Sequence, residues 1–265
     1  MKTSFTTLKV DISDRRAVVT LQRPEVRNAF HPTMIVELTT AFTELSLRKD
    51  LAVVIFRGEG KGFCSGADLS YMQAMAGFSF DENVRDSSAL FAMFESIKRC
   101  AQPVLARVHG SVMGGGVGLV AACDIAGAVD GSQFCFSEVK LGLVPAVISS
   151  FVLDRMAAAD VRRYMLTGES FGIREAMAAG LVQFAGGDAE VDAFIESTAA
   201  AIEKNGPEAV RATKRLIAEV SAEIDWLKKK SLSAQVIAER RASGEGQEGL
   251  KSFLEKRSPR WRSKA

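Results

Sequence analysis

Two glycine-rich stretches hold the residues best suited to chemistry: GEGKGFCSGADL, residues 58–69, and MGGGVGL, residues 113–119. A glycine inside a regular element costs roughly 0.5–1 kcal/mol relative to alanine. Three in a row, followed by a fourth at Gly118, therefore call for a reason. One is close packing of a helix on a strand. A second is an oxyanion site, in which backbone N–H groups at a helix N-terminus face a developing negative oxygen with no side chain in the way. Such a site takes a second donor from elsewhere, and the N–H of Ala67, in the turn before Asp68, offers one. A third is the loose dinucleotide turn GxGxxG/A, which GVGLVA fits from Gly116. Its context is wrong, because the strand VLARV ends early, HGSVMG intervenes, and the following helix is short for a crossover. On the glycines alone, packing and oxyanion readings both stand.

None of the carboxylates near these stretches is singled out by residue type or spacing alone. A carboxylate beside an oxyanion hole can move a proton to and from the carbon that the hole acidifies. Burial raises the pKa of such a group and suits it to both directions. Taken alone, Glu138 reads as a surface or capping carboxylate at a strand end. Asp68 and Asp124 read as helix caps or loop-closing acceptors. His31 and His109 are the only histidines, and Cys64, Cys100, Cys123 and Cys135 lack CxxC spacing. No metal site and no disulfide framework is expected, and the cysteines read as reduced thiols of a cytoplasmic protein.

The elements that position these residues follow from periodicity. FTTLKVDI and RAVVTLQ alternate as a strand pair, and LAVVIFRG, PVLARVHG, DIAGAV and QFCFSEV read as further strands. Residues 32–50 carry apolar residues at helical spacing, with Pro32 near the start. Residues 77–88, GFSFDENVRDSS, read as a polar loop before a helix over roughly 89–101. Beyond Pro145 the pattern is helical through VLDRMAAADVRRYML, IREAMAAG, DAEVDAFIESTAAAIEKN and PEAVRATKRLIAEV, with a charged, mainly helical segment over 223–265. The whole is an α/β core with a helical C-terminal part. The chain has 265 residues, 47% of them hydrophobic and 25% charged, and a net charge of +2. That is enough apolar material for a core and too balanced a charge for a nucleic-acid binder. No apolar run reaches the roughly 18 residues of a membrane span, and the N-terminal stretch has no apolar region typical of a signal peptide.

GKGFCSGADL, then PVLARVHGSVMGGGVGL, then ACDI and FSEVKLGLVP, resemble the crotonase (enoyl-CoA hydratase/isomerase) superfamily in order and spacing. The resemblance runs from RPEVRNAF to FLEKRSP. It implies a spiral of ββα units over residues 1–195, a helical trimerisation region over 196–265, and a homotrimer or a homohexamer of two trimers. It also implies an acyl-CoA substrate with no metal or redox cofactor. The thioester oxygen would be held by the N–H groups of Ala67 and Gly115, with Glu138 as acid/base. Arg27, Ala29 and Leu69 match positions near bound CoA. Phe253 and Lys256 match a pair that reaches the adenine and a phosphate of CoA in a neighbouring subunit.

One departure matters. Many hydratases of this superfamily carry a second glutamate, at the position held here by Gly118. A lone glutamate suits a double-bond isomerase as well as a hydratase, and a silent acyl-CoA-binding subunit is a further alternative. KLGLVPAVISSFVL and SGEGQEGLKSFLEKRSPRW resemble a bacterial subgroup of 3-methylglutaconyl-CoA hydratases of leucine degradation and γ-carboxygeranoyl-CoA hydratases. The expected reaction is thus hydration of 3-methylglutaconyl-CoA to 3-hydroxy-3-methylglutaryl-CoA. Ser70 stands where the family often has a lysine. Met72, Met75, Phe78, Phe91 and Phe94 read as core before acyl pocket. Arg85 and His109 fit a distal carboxylate by chemistry only. The basic tail, Lys251, Lys256, Arg257, Arg260, Arg262 and Lys264, reads as solvated. Residues 34–50 lack the lysine comb of RNA-binding relatives, so no nucleic-acid partner is expected.

Overall fold

The computed structural model describes residues 4–262, so Lys264 lies outside the described residues. The chain opens with a hairpin of β1 (Leu8–Ser13) and β2 (Arg16–Leu21), turned at Asp14 with φ 49°. Ala17, Val19 and Leu21 alternate onto the buried face of β2, as period-2 patterning requires. Helix α1 (Pro32–Ser46) is capped by His31, whose Nδ1 accepts from the Met34 N–H. It ends four residues before the expected residue 50. The carbonyls of Arg48 and Lys49, beyond its end, accept from Arg211.

The middle of the chain comprises β3 (Val53–Gly58), α2 (Leu69–Met75), α3 (Phe80–Lys98), β4 (Val104–Val108), β5 (Ser111–Met113), α4 (Gly115–Ala122), β6 (Ile125–Val129) and β7 (Gln133–Cys135). After a 3₁₀ turn at Glu138–Leu141 come α5 (Ala146–Leu153), α6 (Ala158–Thr167), β8 (Ser170–Phe171), α7 (Ile173–Ala178), β9 (Phe184–Gly186), α8 (Asp188–Glu203), α9 (Pro207–Ala222), α10 (Trp226–Ala242) and α11 (Gly244–Leu254).

Six strands form one sheet in the order β1-β2-β3-β4-β6-β9, parallel throughout after the hairpin. A smaller sheet runs β5-β7-β8. Cys64 pairs with Val112 of β5, and Ala67 pairs with Phe30, as isolated bridges. Successive turns of the chain therefore repeat one plan: a strand in the large sheet, a short extended piece in a second layer, then a helix or 3₁₀ turn. The turns are β3, residues 64–67 and α2; β4, β5 and α4; β6, β7 and the 3₁₀ turn. This is the expected ββα spiral, although no repeat is visible in the sequence. Phe30, Phe42, Phe56, Phe63 and Phe94 fill its core.

Several expectations are corrected. Residues 80–88 belong to α3, not to a loop, because Ser79 and Glu82 form a reciprocal capping box that starts the helix at Phe80. The segment VLDRMAAADVRRYML breaks between Asp154 and Ala157 into α5 and α6. The short strands β8 and β9 were not anticipated from the pattern. The division expected between residues 195 and 196 falls inside α8. There Val191, Ile195 and Ala199 pack with Val53, Ile55 and Leu105 of the large sheet.

Helices α9, α10 and α11 bury almost nothing, Ser252 being their one buried residue. They are tied to the core through polar contacts. Arg211 donates to the carbonyls of Arg48, Lys49 and Leu51, and Lys214 reaches the Asp124 carboxylate at 2.7 Å and the Gln102 carbonyl. The basic tail is held, not simply solvated: Arg257 pairs with Glu248, and Trp261 and Arg262 donate to the Lys204 carbonyl. No described helix is long and apolar enough to cross a membrane.

Candidate active site

The loop carrying SGAD is built against the segment that precedes α1. Asn28, buried with φ 56°, donates through Nδ2 to the carbonyls of Glu59 and Gly62. Ser65 donates its N–H to the Arg27 carbonyl. The Phe30 N–H reaches the Gly66 carbonyl at 2.6 Å, and the Asp68 N–H reaches the Phe30 carbonyl at 2.8 Å. Those two bonds use the residues either side of Ala67, as a parallel bridge does, and turn the Ala67 N–H to the opposite side. Asp68 caps α2 by accepting from the Ser70 N–H and hydroxyl, and pairs with Arg23 at 2.8 Å. Ser70 and Arg23 together hold the Asp68 carboxyl down to about 2. Ser70 is thereby a capping residue here.

The second loop explains its glycines. Gly114 has φ 50° and donates its N–H to the Cys135 carbonyl. Gly115 opens α4, so its N–H is one of the helix's unsatisfied donors. A Cβ on Gly115 would lie 2.4 Å from the Phe30 ring, and one on Gly116 2.3 Å from the Cys64 carbonyl. A Cβ on Gly114 would come within 3.2 Å of Glu138 Oε1. Close packing alone thus requires the run, and the N–H of Gly115 is left free at the helix start. Gly118 is buried in α4, and a Cβ there would sit 2.4 Å from Ile148 Cγ2 and 3.0 Å from the Phe94 ring. The space a second glutamate would need is filled by Ile148 of the AVISS segment.

Glu138 opens the 3₁₀ turn after β7. Its Oε2 is buried without a hydrogen-bond partner. Burial pushes its carboxyl above the usual range, opposed by a bond from its own backbone N–H. Ala67, Gly114, Gly115 and Glu138 line one cavity of about 270 Å³, closed on the other side by residues of α2, α3 and α5. An adjoining apolar recess of about 530 Å³ lies between α3 and α5 and shares Ser87, Ala146 and Val147 with it. The arrangement can hold a carbonyl oxygen on two amides with a proton carrier beside the adjacent carbon.

The other expected residues are distributed as follows. Met72 and Met75 line the cavity, Phe91 lines the recess, and Phe94 is core, edge-on to Phe30. Arg27 is exposed with φ 52° beside the SGAD loop, Ala29 is buried next to Phe30, and Leu69 is 79% exposed at the start of α2. Phe253, 81% exposed, and Lys256 lie on α11 and just beyond it, and neither lines this chain's cavity. Arg85 is exposed on α3 and His109 bonds the Gly60 carbonyl through Nε2; neither lines the cavity. Asp124 closes a loop, accepting from the Val104 N–H and Lys214. Among the lining residues that the sequence does not single out are Tyr71 of α2 and Asp86 of α3, joined by a hydrogen bond from the Tyr71 hydroxyl. Fifteen positions apart, they meet only because α2 and α3 fold together.

A ββα spiral that brings two backbone amides and a buried carboxyl to one cavity defines a crotonase-fold enzyme acting on acyl-CoA. The model of the enoyl-CoA hydratase/isomerase family matches residues 12–264, and the chain belongs to that family. A probable enoyl-CoA hydratase of Rhodobacter capsulatus is 31% identical over 257 residues, 97% of this chain and 98% of that protein. The structure of an enoyl-CoA hydratase from Shewanella pealeana is similar with a TM-score of 0.93 and 32% identity, covering 97% of this chain and 96% of that one. AtuE of Pseudomonas aeruginosa is similar with a TM-score of 0.93 and 31% identity, covering 97% of this chain and all of that one.

Proposed function

We propose that the chain hydrates an α,β-unsaturated acyl-CoA using Glu138 as its proton carrier. The observation that carries this reading is the unpartnered, buried Oε2 of Glu138 in the cavity that Ala67 and Gly115 also line. With the thioester oxygen on those two amides, charge arriving there is stabilised by donors that need no reorganisation, each worth about 2.7–4 kcal/mol in comparable sites. Water adds through oxygen to C3, Glu138 takes the water proton, and the C2–C3 electron pair moves onto the thioester as an enolate. Glu138 then returns the proton to C2. Its raised pKa brings the two transfers closer in free energy. The reaction takes no metal or redox cofactor.

The substrate toward which the sequence resemblance points is 3-methylglutaconyl-CoA, giving 3-hydroxy-3-methylglutaryl-CoA. Arg27, Ala29 and Leu69 are assigned to CoA, with Phe253 and Lys256 reaching CoA on a neighbouring copy in a trimer or hexamer. The four cysteines are free thiols, in keeping with a cytoplasmic location. The test is loss of conjugated thioester absorbance from 3-methylglutaconyl-CoA with a product heavier by one water. Glu138→Gln should bind the ester yet lose at least about 100-fold in kcat; near-wild-type turnover would sink the proposal. A second reading, double-bond isomerisation, is favoured by Ile148 filling the space at Gly118. It predicts that a β,γ-enoyl-CoA is converted with no change in mass.

A further inference from the structure

A single proton carrier leaves the attacking water held from one side only. The position from which a second carboxylate would hold it, Gly118, has no room for a side chain. The polar side chains that do line the cavity are Ser65, Tyr71, Asp86, Ser87, Ser137 and Glu138. Ser65 Oγ is spent on the carbonyls of Val26 and Arg27. Asp86 is the only other carboxylate, and it is fixed. Tyr71, 5% exposed, is anchored in the core cluster and donates its hydroxyl to Asp86 Oδ1. Burial and the neighbouring Asp86 push the Tyr71 phenol well above its ordinary value, so it stays a donor at any working pH. One carboxylate oxygen is thereby occupied and the other is left to accept from solvent in the cavity. A cavity of about 270 Å³ has room for water beside an acyl group, since one water takes roughly 30 Å³.

We propose that Asp86, oriented by Tyr71, is the second carboxylate of the site and holds the attacking water opposite Glu138. The inference rests on the hydratase reading above. Asp86 accepts one hydrogen bond from the water and takes no part in the proton transfer. The other water proton passes to Glu138 as the water oxygen bonds to C3, and that proton ends on C2, so H and OH are added and both carboxylates finish as they began. Asp86 acts only where water is a reactant. Exchange of the C2 proton of a saturated acyl-CoA with solvent needs the two amides and Glu138, and does not need Asp86.

That difference provides the test. Hydration of an enoyl-CoA and deuterium exchange at C2 of butyryl-CoA are measured for wild type, Asp86→Asn and Tyr71→Phe. Asp86→Asn is expected to lower the kcat of hydration at least tenfold with KM changed less than threefold, while exchange stays within threefold of wild type. Retained exchange also reports a folded site. Tyr71→Phe should lower hydration by a smaller factor, three- to tenfold, with exchange again preserved. Hydration by Asp86→Asn within twofold of wild type would overturn the proposal, as would parallel loss of hydration and exchange in both variants. Failure of the wild type to hydrate any enoyl-CoA is seen before a variant is made. It would remove the hydratase reading, and this inference with it.

Discussion

Gly118 and Ile148 show how one small residue commits its neighbours. With no Cβ at 118, the Ile148 side chain of α5 moves into the space and seals α4 against α5 and Phe94. The exchange of a glutamate for a glycine is therefore not a simple loss, because the vacated volume is packed. Restoring a side chain should destabilise the fold before it alters the chemistry. Gly118→Ala gains helix propensity of up to about 1 kcal/mol, but a Cβ at 2.4 Å from Ile148 Cγ2 overpacks the core. Overpacking of this kind costs roughly 1–3 kcal/mol. The expected outcome is a lower urea midpoint for Gly118→Ala, and a much smaller penalty for the same change in an Ile148→Ala background. Equal penalties in the two backgrounds would mean that the two residues do not couple. The missing glutamate is legible in the sequence, since it is a motif position. Ile148 as its replacement is not, because thirty residues separate the pair and only the packing of α5 on α4 joins them.

At the scale of elements, Asp68 ties the SGAD loop to its surroundings. Its carboxylate starts α2, ties Arg23, and borders Ala67, which lines the cavity. Its folded pKa of about 2 lies below the ordinary 3.8. The unfolded chain therefore binds the proton more readily, and stability rises with pH across that interval. That stabilisation is present above pH ~4 and lost as pH falls toward ~2. Urea midpoints of wild type and Asp68→Asn should differ most above pH ~5 and converge toward pH ~2; a gap independent of pH would refute the assignment. Strands β1–β4 and β6 of the large sheet, the start of α1 at Pro32 and the cap at Asp68 are readable from alternation, proline placement and cap chemistry. The first half of α3 is not, because Phe80–Ser88 expose polar residues on most of their circumference and show no apolar stripe. The sign that was available is local: Ser79 followed three residues later by Glu82. Strands β8 and β9, two and three residues long, carry too little pattern to be seen. The Tyr71–Asp86 contact has no sequence signature at all, since it depends on how two helices cross.

At the scale of the molecule, α9–α11 form a layer that buries almost none of its own side chains. Large apolar side chains are open here, Ile224 at 90% and Trp226 at 79%, with Leu227, Phe253 and Leu254 similar, as some are elsewhere on the surface. The three helices pack on one another and are clamped to the core by Arg211 and Lys214, so they are held in place without being covered. The C-terminal end is drawn back as well: Arg15, in the β1–β2 turn, donates to the Trp261 carbonyl. A layer held in place with open apolar side chains is the form expected of a permanent interface between copies, which is more hydrophobic than ordinary surface and buries well over about 1,000 Å². The wild-type chain, 28.6 kDa, should run in light scattering at three or six times that mass at micromolar concentration. Replacing Trp226 and Leu227 together by lysine, on exposed positions that contribute little to the monomer's own core, should shift the particle toward one copy while leaving the circular dichroism of the spiral intact. If CoA is also gripped by Phe253 and Lys256 of a neighbouring copy, the dissociated variant should show a KM for acyl-CoA raised about tenfold or more, and kcat altered far less. A wild-type monomer would remove the interface altogether. A dissociated variant with unchanged KM would keep the interface but confine CoA binding to residues of one chain.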